Sequence, residues 1–71
     1  MPAWTYQDDQ ELIGRYTQAQ PWAVIAAALG RNEKACQAHL WRLRRGMLGW
    51  QWAMIEDRRM DALVARQRRR P

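Results

Sequence analysis

The stretch Pro21-Trp22-Ala23-Val24-Ile25-Ala26-Ala27-Ala28-Leu29-Gly30-Arg31-Asn32-Glu33-Lys34-Ala35-Cys36 decides the fold of this 71-residue chain. Trp22, Ile25, Ala26 and Leu29 recur at i, i+3, i+4 and i+7, the spacing that lines one side of an α-helix with apolar groups. Pro21 suits the first turn of that helix, where its missing N–H costs nothing. Gly30 supplies the left-handed position that ends it. Arg31 then makes the turn, and Asn32 is a good N-cap for a helix that follows.

Outward from this segment the same periodicity predicts a helix on either side. Upstream, Thr5 and Asp8 have capping-box spacing, and Asp8, Asp9 and Glu11 suit the positive end of a helix dipole. A helix over Tyr6–Thr17 follows, with Leu12, Ile13 and Tyr16 on one side and Trp4 just before it, ended by Gln18-Ala19-Gln20-Pro21. Downstream, a helix over Glu33–Arg45 turns Cys36, Leu40 and Leu43 inward, with Ala35 and His39 flanking. Trp4, Trp22 and Leu40 are spaced eighteen positions apart, so each helix brings one large apolar residue to a shared core. The expected core is Trp4, Leu12, Tyr16, Trp22, Ile25, Leu29, Cys36, Leu40 and Leu43.

After Gly46-Met47-Leu48-Gly49 a fourth helix is expected over about Trp50–Arg68. Its apolar residues, Trp50, Trp52, Ala53, Met54, Ile55, Met60, Leu63 and Val64, cover most of its circumference near the start and narrow later. Such a helix must bury against something. It either folds back on the core, against the otherwise exposed Trp41, or pairs with another chain as a homodimer or with a protein partner; folding back is the preferred expectation. Trp50, Trp52, Met54 and Leu63 are the candidate interaction residues. The terminal run Arg66-Gln67-Arg68-Arg69-Arg70-Pro71 is expected to fray, and is chemically able to reach phosphates or serve nuclear import.

Composition narrows the class. A chain this short is one small domain whose core needs reinforcement. Five tryptophans and two tyrosines supply it, since one indole buries roughly 150–250 Å². A single cysteine excludes an internal disulfide, and with one histidine it cannot assemble a zinc site. No metal and no cofactor are expected. Nor does any stretch reach the roughly 20 apolar residues of a membrane span, and no signal-peptide core follows Met1, so a soluble, intracellular protein without membrane contact is expected.

The net charge of +5 is unevenly placed. Residues 1–30 set Asp8, Asp9 and Glu11 against Arg15 alone, a balance of −2. Residues 31–45 set Arg31, Lys34, Arg42, Arg44 and Arg45 against Glu33, a balance of +4, and residues 46–71 carry +3. A basic third helix after an acidic first one suggests a polyanion partner on one face. Lys34, Gln37, Ala38, Trp41 and Arg45 fall on the side of the third helix opposite its buried stripe, with Arg42 and Arg44 beside them. Base edges are read by amide and cationic side chains from one helix face, while arginines hold phosphates. The expected base contacts are therefore Lys34, Gln37, Ala38 and Trp41, Ala38 being small enough for close approach; the expected phosphate contacts are Arg31, Arg42, Arg44 and Arg45. Three helices on one core with the last one cationic is the helix-turn-helix manner of meeting double-stranded DNA.

Taken together, Trp4-Thr5, Leu12, Trp22-x-x-Ile25-Ala26-x-x-Leu29-Gly30-Arg31, Ala35-Cys36 and Leu40 resemble a Myb/SANT repeat over residues 3–45. The resemblance implies an all-α, three-helix Myb/homeodomain-like bundle (helix-turn-helix) over residues 1–46, with an additional C-terminal fourth helix and basic tail over 47–71 outside the family pattern. It also implies DNA binding in transcriptional or chromatin regulation, in the nucleus of a eukaryote or the cytoplasm and nucleoid of a bacterium. The family's core aromatics fall on Trp4, Trp22 and Leu40, and its base-reading positions on Lys34, Gln37 and Ala38. Leu40 replaces the usual tryptophan, and Ala38 replaces a polar reader.

Enzymatic activity is not expected. Cys36 and His39 lie within reach on one helix, but no third group orients the imidazole and so small a chain offers no cleft. Cys36 is expected in the core and His39 on the helix surface or facing DNA. The rival to DNA binding is a SANT-type protein-interaction or oligomerisation module in a chromatin-associated complex, anchored on an exposed patch of Trp41, Trp50 and Trp52.

Overall fold

The computed structural model describes residues 3–68, so Arg69 and Arg70 of the basic tail lie outside the described residues. Four helices follow in order: α1 (Tyr6–Thr17), α2 (Trp22–Leu29), α3 (Glu33–Arg45) and α4 (Gly49–Arg68). Among the described residues no strand occurs, and no helix is long and apolar enough to cross a membrane.

Local hydrogen bonding explains where each helix begins. The Thr5 hydroxyl accepts from the Asp8 amide at 3.0 Å while the Asp8 carboxylate accepts from the Thr5 amide at 3.1 Å, a reciprocal cap on α1. The Asn32 side chain accepts from the Ala35 amide at 2.7 Å and caps α3. Pro21 stands one position earlier than expected: it is the N-cap of α2, its carbonyl accepting from the Val24 and Ile25 amides.

The ends of α1 and α2 share one geometry with different residues. Gly30 closes α2 at φ 64, and the Arg31 amide reaches back to the Ala26 carbonyl at 3.0 Å. Ala19 adopts the same left-handed conformation after α1 (φ 60), with the Gln20 amide bonded to the Arg15 carbonyl. An L-residue pays roughly 1–2 kcal/mol for that conformation. Burial of the Ala19 methyl, 7% exposed, offsets part of it.

The core is small. Leu12, Ile25, Cys36 and Leu40 are fully buried, with Tyr16 and Ala26 nearly so, and each large aliphatic among them contributes about 1.5–3 kcal/mol of hydrophobic burial. Trp4, Trp22, Leu29 and Leu43 pack around this cluster half-buried. α1 is the central element, touching α2, α3 and α4.

α4 folds back, but its main contact is α1 rather than Trp41 on α3. Tyr16 makes the join: its hydroxyl donates to the Glu56 carboxylate, its ring stacks on Trp52 at 5.7 Å, and the Arg59 guanidinium lies 4.8 Å from the ring centre. Burial and the Glu56 acceptor push the Tyr16 phenol up to about 12. No residue of α4, all of which is described, is fully buried, and Trp50, Met54, Met60 and Val64 remain exposed on it.

Candidate nucleic-acid interface

α3 is divided lengthwise by its own periodicity. Cys36, Leu40 and Leu43 face the core, which leaves Lys34, Ala38, Trp41, Arg42 and Arg45 exposed along the opposite side. Because α4 lies on α1, this outer side is uncovered. Gln37 sits on the flank and is half-buried. Arg44, on the same flank, is exposed but leans toward α4, its guanidinium 5.0 Å from the Trp52 ring centre and 5.9 Å from that of Trp41.

Arg31 departs from its expected role. Its side chain is only 6% exposed, lies 4.0 Å from the Trp4 ring centre, and donates to the Asp8 carboxylate at 3.4 Å and the Ala3 carbonyl at 3.2 Å. A cation already desolvated and paired cannot reach a phosphate without breaking those contacts. Arg31 is thus a clamp on the segment leading into α1. Asp8 is held below its ordinary value of 3.8, first by its hydrogen bond from the Thr5 amide and then by the Thr5 hydroxyl and Arg31.

His39 is neither on the helix surface nor facing outward, contrary to expectation. Its side chain is 14% exposed, its ring is parallel to Trp4 with centroids 4.0 Å apart, and Nε2 lies 2.6 Å from the Asp9 carboxylate. Trp4 therefore carries both Arg31 and His39 against its ring, and each is tied to one acid of α1. Nothing in the local spacing advertises this, since Arg31 and His39 both lie far from Trp4 in the sequence. Cys36 is fully buried, and burial pushes its thiol up, away from the thiolate form that nucleophilic chemistry requires.

Each acid of α1 thereby has a side-chain partner. Asp8 pairs with Arg31, Asp9 with His39 and Glu11 with Arg15 at 3.0 Å. Lys34, Arg42 and Arg45 have no ion-pair partner among the described residues, so their charge is directed to solvent. Ala38, Trp41, Arg42 and Arg45 line an open concavity of about 350 Å³ on this face.

Of the aromatic patch expected of Trp41, Trp50 and Trp52, Trp41 and Trp52 come together and Trp50 stands apart. Positions two apart on a helix point to opposite sides, so Trp52 packs on Tyr16 and meets Trp41 edge-on at 5.9 Å while Trp50 lies 61% exposed elsewhere. Trp50 and Met54 instead border a groove of about 470 Å³ between α1 and α4, with Ile13, Gly14 and Ile55 among its other walls. Leu63 is half-buried. No protein-family model, curated protein or solved structure matches this chain.

Proposed function

We propose that residues 1–46 form a helix-turn-helix domain of the Myb/SANT kind that binds double-stranded DNA by laying the outer face of α3 in the major groove. The observation that carries the reading is the uncovered side of α3, where Lys34, Arg42 and Arg45 stand without acidic partners beside the small Ala38. Lys34 reads base edges near the start of the helix, Gln37 assists from the flank, and Arg42, Arg44 and Arg45 hold phosphates at its end. With Arg31 occupied, three phosphate-holding arginines remain, so log K against log salt should fall with a slope of roughly −3.

Mobility shift with random duplexes at low and moderate salt tests this directly. Binding that weakens steeply with salt supports it; absent or salt-insensitive binding contradicts it. Replacing Lys34 by alanine should relax sequence preference at a cost of roughly 1–3 kcal/mol on the preferred site. An equal loss on every sequence would remove Lys34 from the reading role.

A second reading, protein association through α4, is favoured by the exposed Trp50 and Met54 at the α1–α4 groove. Sedimentation over the micromolar range tests self-association through α4. A concentration-dependent dimer would pair two copies of α3 and raise DNA affinity by avidity; a strict monomer assigns α4 to packing against α1.

A further inference from the structure

Trp41 is the one large aromatic on the outer face of α3, 43% exposed among arginines. A bulky ring there obstructs close docking on a fully paired base stack. Its surroundings are nonetheless organised. Trp52 meets its ring edge-on at 5.9 Å and the Arg44 guanidinium lies 5.9 Å from its centre, so one side is braced. On the other, Ala38 stands one helical turn earlier with only a methyl group, and the ring borders the concavity that Arg42 and Arg45 also line. An aromatic wall held in place, with room beside it and two guanidiniums without acidic partners at the rim, fits a flat π-system that carries a negative charge close by.

We propose that this concavity takes an unpaired nucleobase of DNA, stacked on Trp41, with its flanking phosphates on Arg42 and Arg45. Its volume, about 350 Å³, is large enough for one base. An unpaired base swings out of a duplex at least cost, which removes the obstruction that Trp41 presents to intact DNA. The stacking surface is tolerant of base identity because every base has a π-face. The inference rests on the nucleic-acid reading of α3 and adds to it a preference among DNA structures.

Fluorescence anisotropy at one moderate salt concentration tests it, using a short labelled DNA duplex and the same duplex carrying a single-adenine bulge. The intact protein should bind the bulged probe more tightly by about 5- to 150-fold, the equivalent of one base–aromatic stack. Trp41→Phe should keep most of that preference. Trp41→Leu, which keeps apolar bulk against Trp52 but has no π-face, should abolish it while intact-duplex binding and helical circular dichroism persist. Equal binding of the two probes by the intact protein overturns the inference and leaves duplex binding standing, as does an undiminished preference in folded Trp41→Leu. Failure to bind either probe at low salt overturns both readings together.

Discussion

Arg31 and Arg45 bracket the same helix and have opposite fates. Arg31, at the turn before α3, lies beneath the amino-terminal segment with Asp8 and Trp4 for company; Arg45, at the far end, is exposed with no ion-pair partner among the described residues. The difference lies in what α1 offers. Its acidic first turn holds Arg31 through Asp8 and His39 through Asp9, whereas Lys34, on the outer side of α3, has no ion-pair partner among the described residues. That turn does not extend to the end of α3. The turn into α3 is therefore held in place by charge, while Lys34, Arg42 and Arg45 on its outer side have no ion-pair partner among the described residues.

The comparison breaks most visibly at Trp4, which supports the held end. Trp4→Ala removes the ring on which both Arg31 and His39 lie, and should cost about 3 kcal/mol, the lower part of the range for losing a large aromatic because Trp4 is only half-buried. Thermal unfolding should move down by more than ~10 °C in a domain of this size. An unchanged midpoint would mean that the cluster contributes nothing to holding α3.

A smaller effect is expected at Tyr16, which ties α4 to α1. Tyr16→Phe deletes the hydroxyl that Glu56 accepts from, at a cost of about 1 kcal/mol. Its pH dependence has a definite sign. The phenol is raised from 10.0 to about 12 on folding, so its contribution is intact below pH 10 and is lost as pH rises toward 12. Alkaline denaturation of the intact protein should show this loss, and Tyr16→Phe should lack it. DNA binding at neutral pH should be equal in the two.

The smallest effect is at Asp8. Its carboxyl is lowered in the folded chain, so the stability it adds is present above its ordinary value of 3.8 and declines as pH falls through and below it. Acid titration of Asp8→Asn followed by circular dichroism should show a shallower loss of helix than the intact chain.

What could be read from the residues alone follows the range of the interactions. The caps at Thr5 and Asn32 and the left-handed Gly30 are bonds between neighbours a few positions apart, and residue type suffices to see them. The two sides of α3 follow from a period of 3.6. Ala19 was invisible for the opposite reason: nothing in an alanine announces a positive φ, and its conformation is imposed by the turn that brings α1 to α2. Arg31 with Asp8 and His39 with Asp9 join positions remote in sequence, so their pairing depends on how α1 crosses α3. Composition showed those four side chains but not that they would pair. The same limit applies to α4, whose apolar residues announce a need for burial without naming α1 as the surface.

The most direct test sets the two ends of α3 side by side, with thermal midpoint and salt slope of duplex binding measured on Arg31→Ala and on Arg42→Ala/Arg45→Ala. The account predicts that Arg31→Ala loses about 1–3 kcal/mol of stability with an unchanged slope. The double variant should keep its stability within about 0.5 kcal/mol while the slope becomes shallower by roughly 2. A shallower slope with full stability in Arg31→Ala, or an unaltered slope in the double variant, would contradict the division between a held turn before α3 and a binding surface on its outer side.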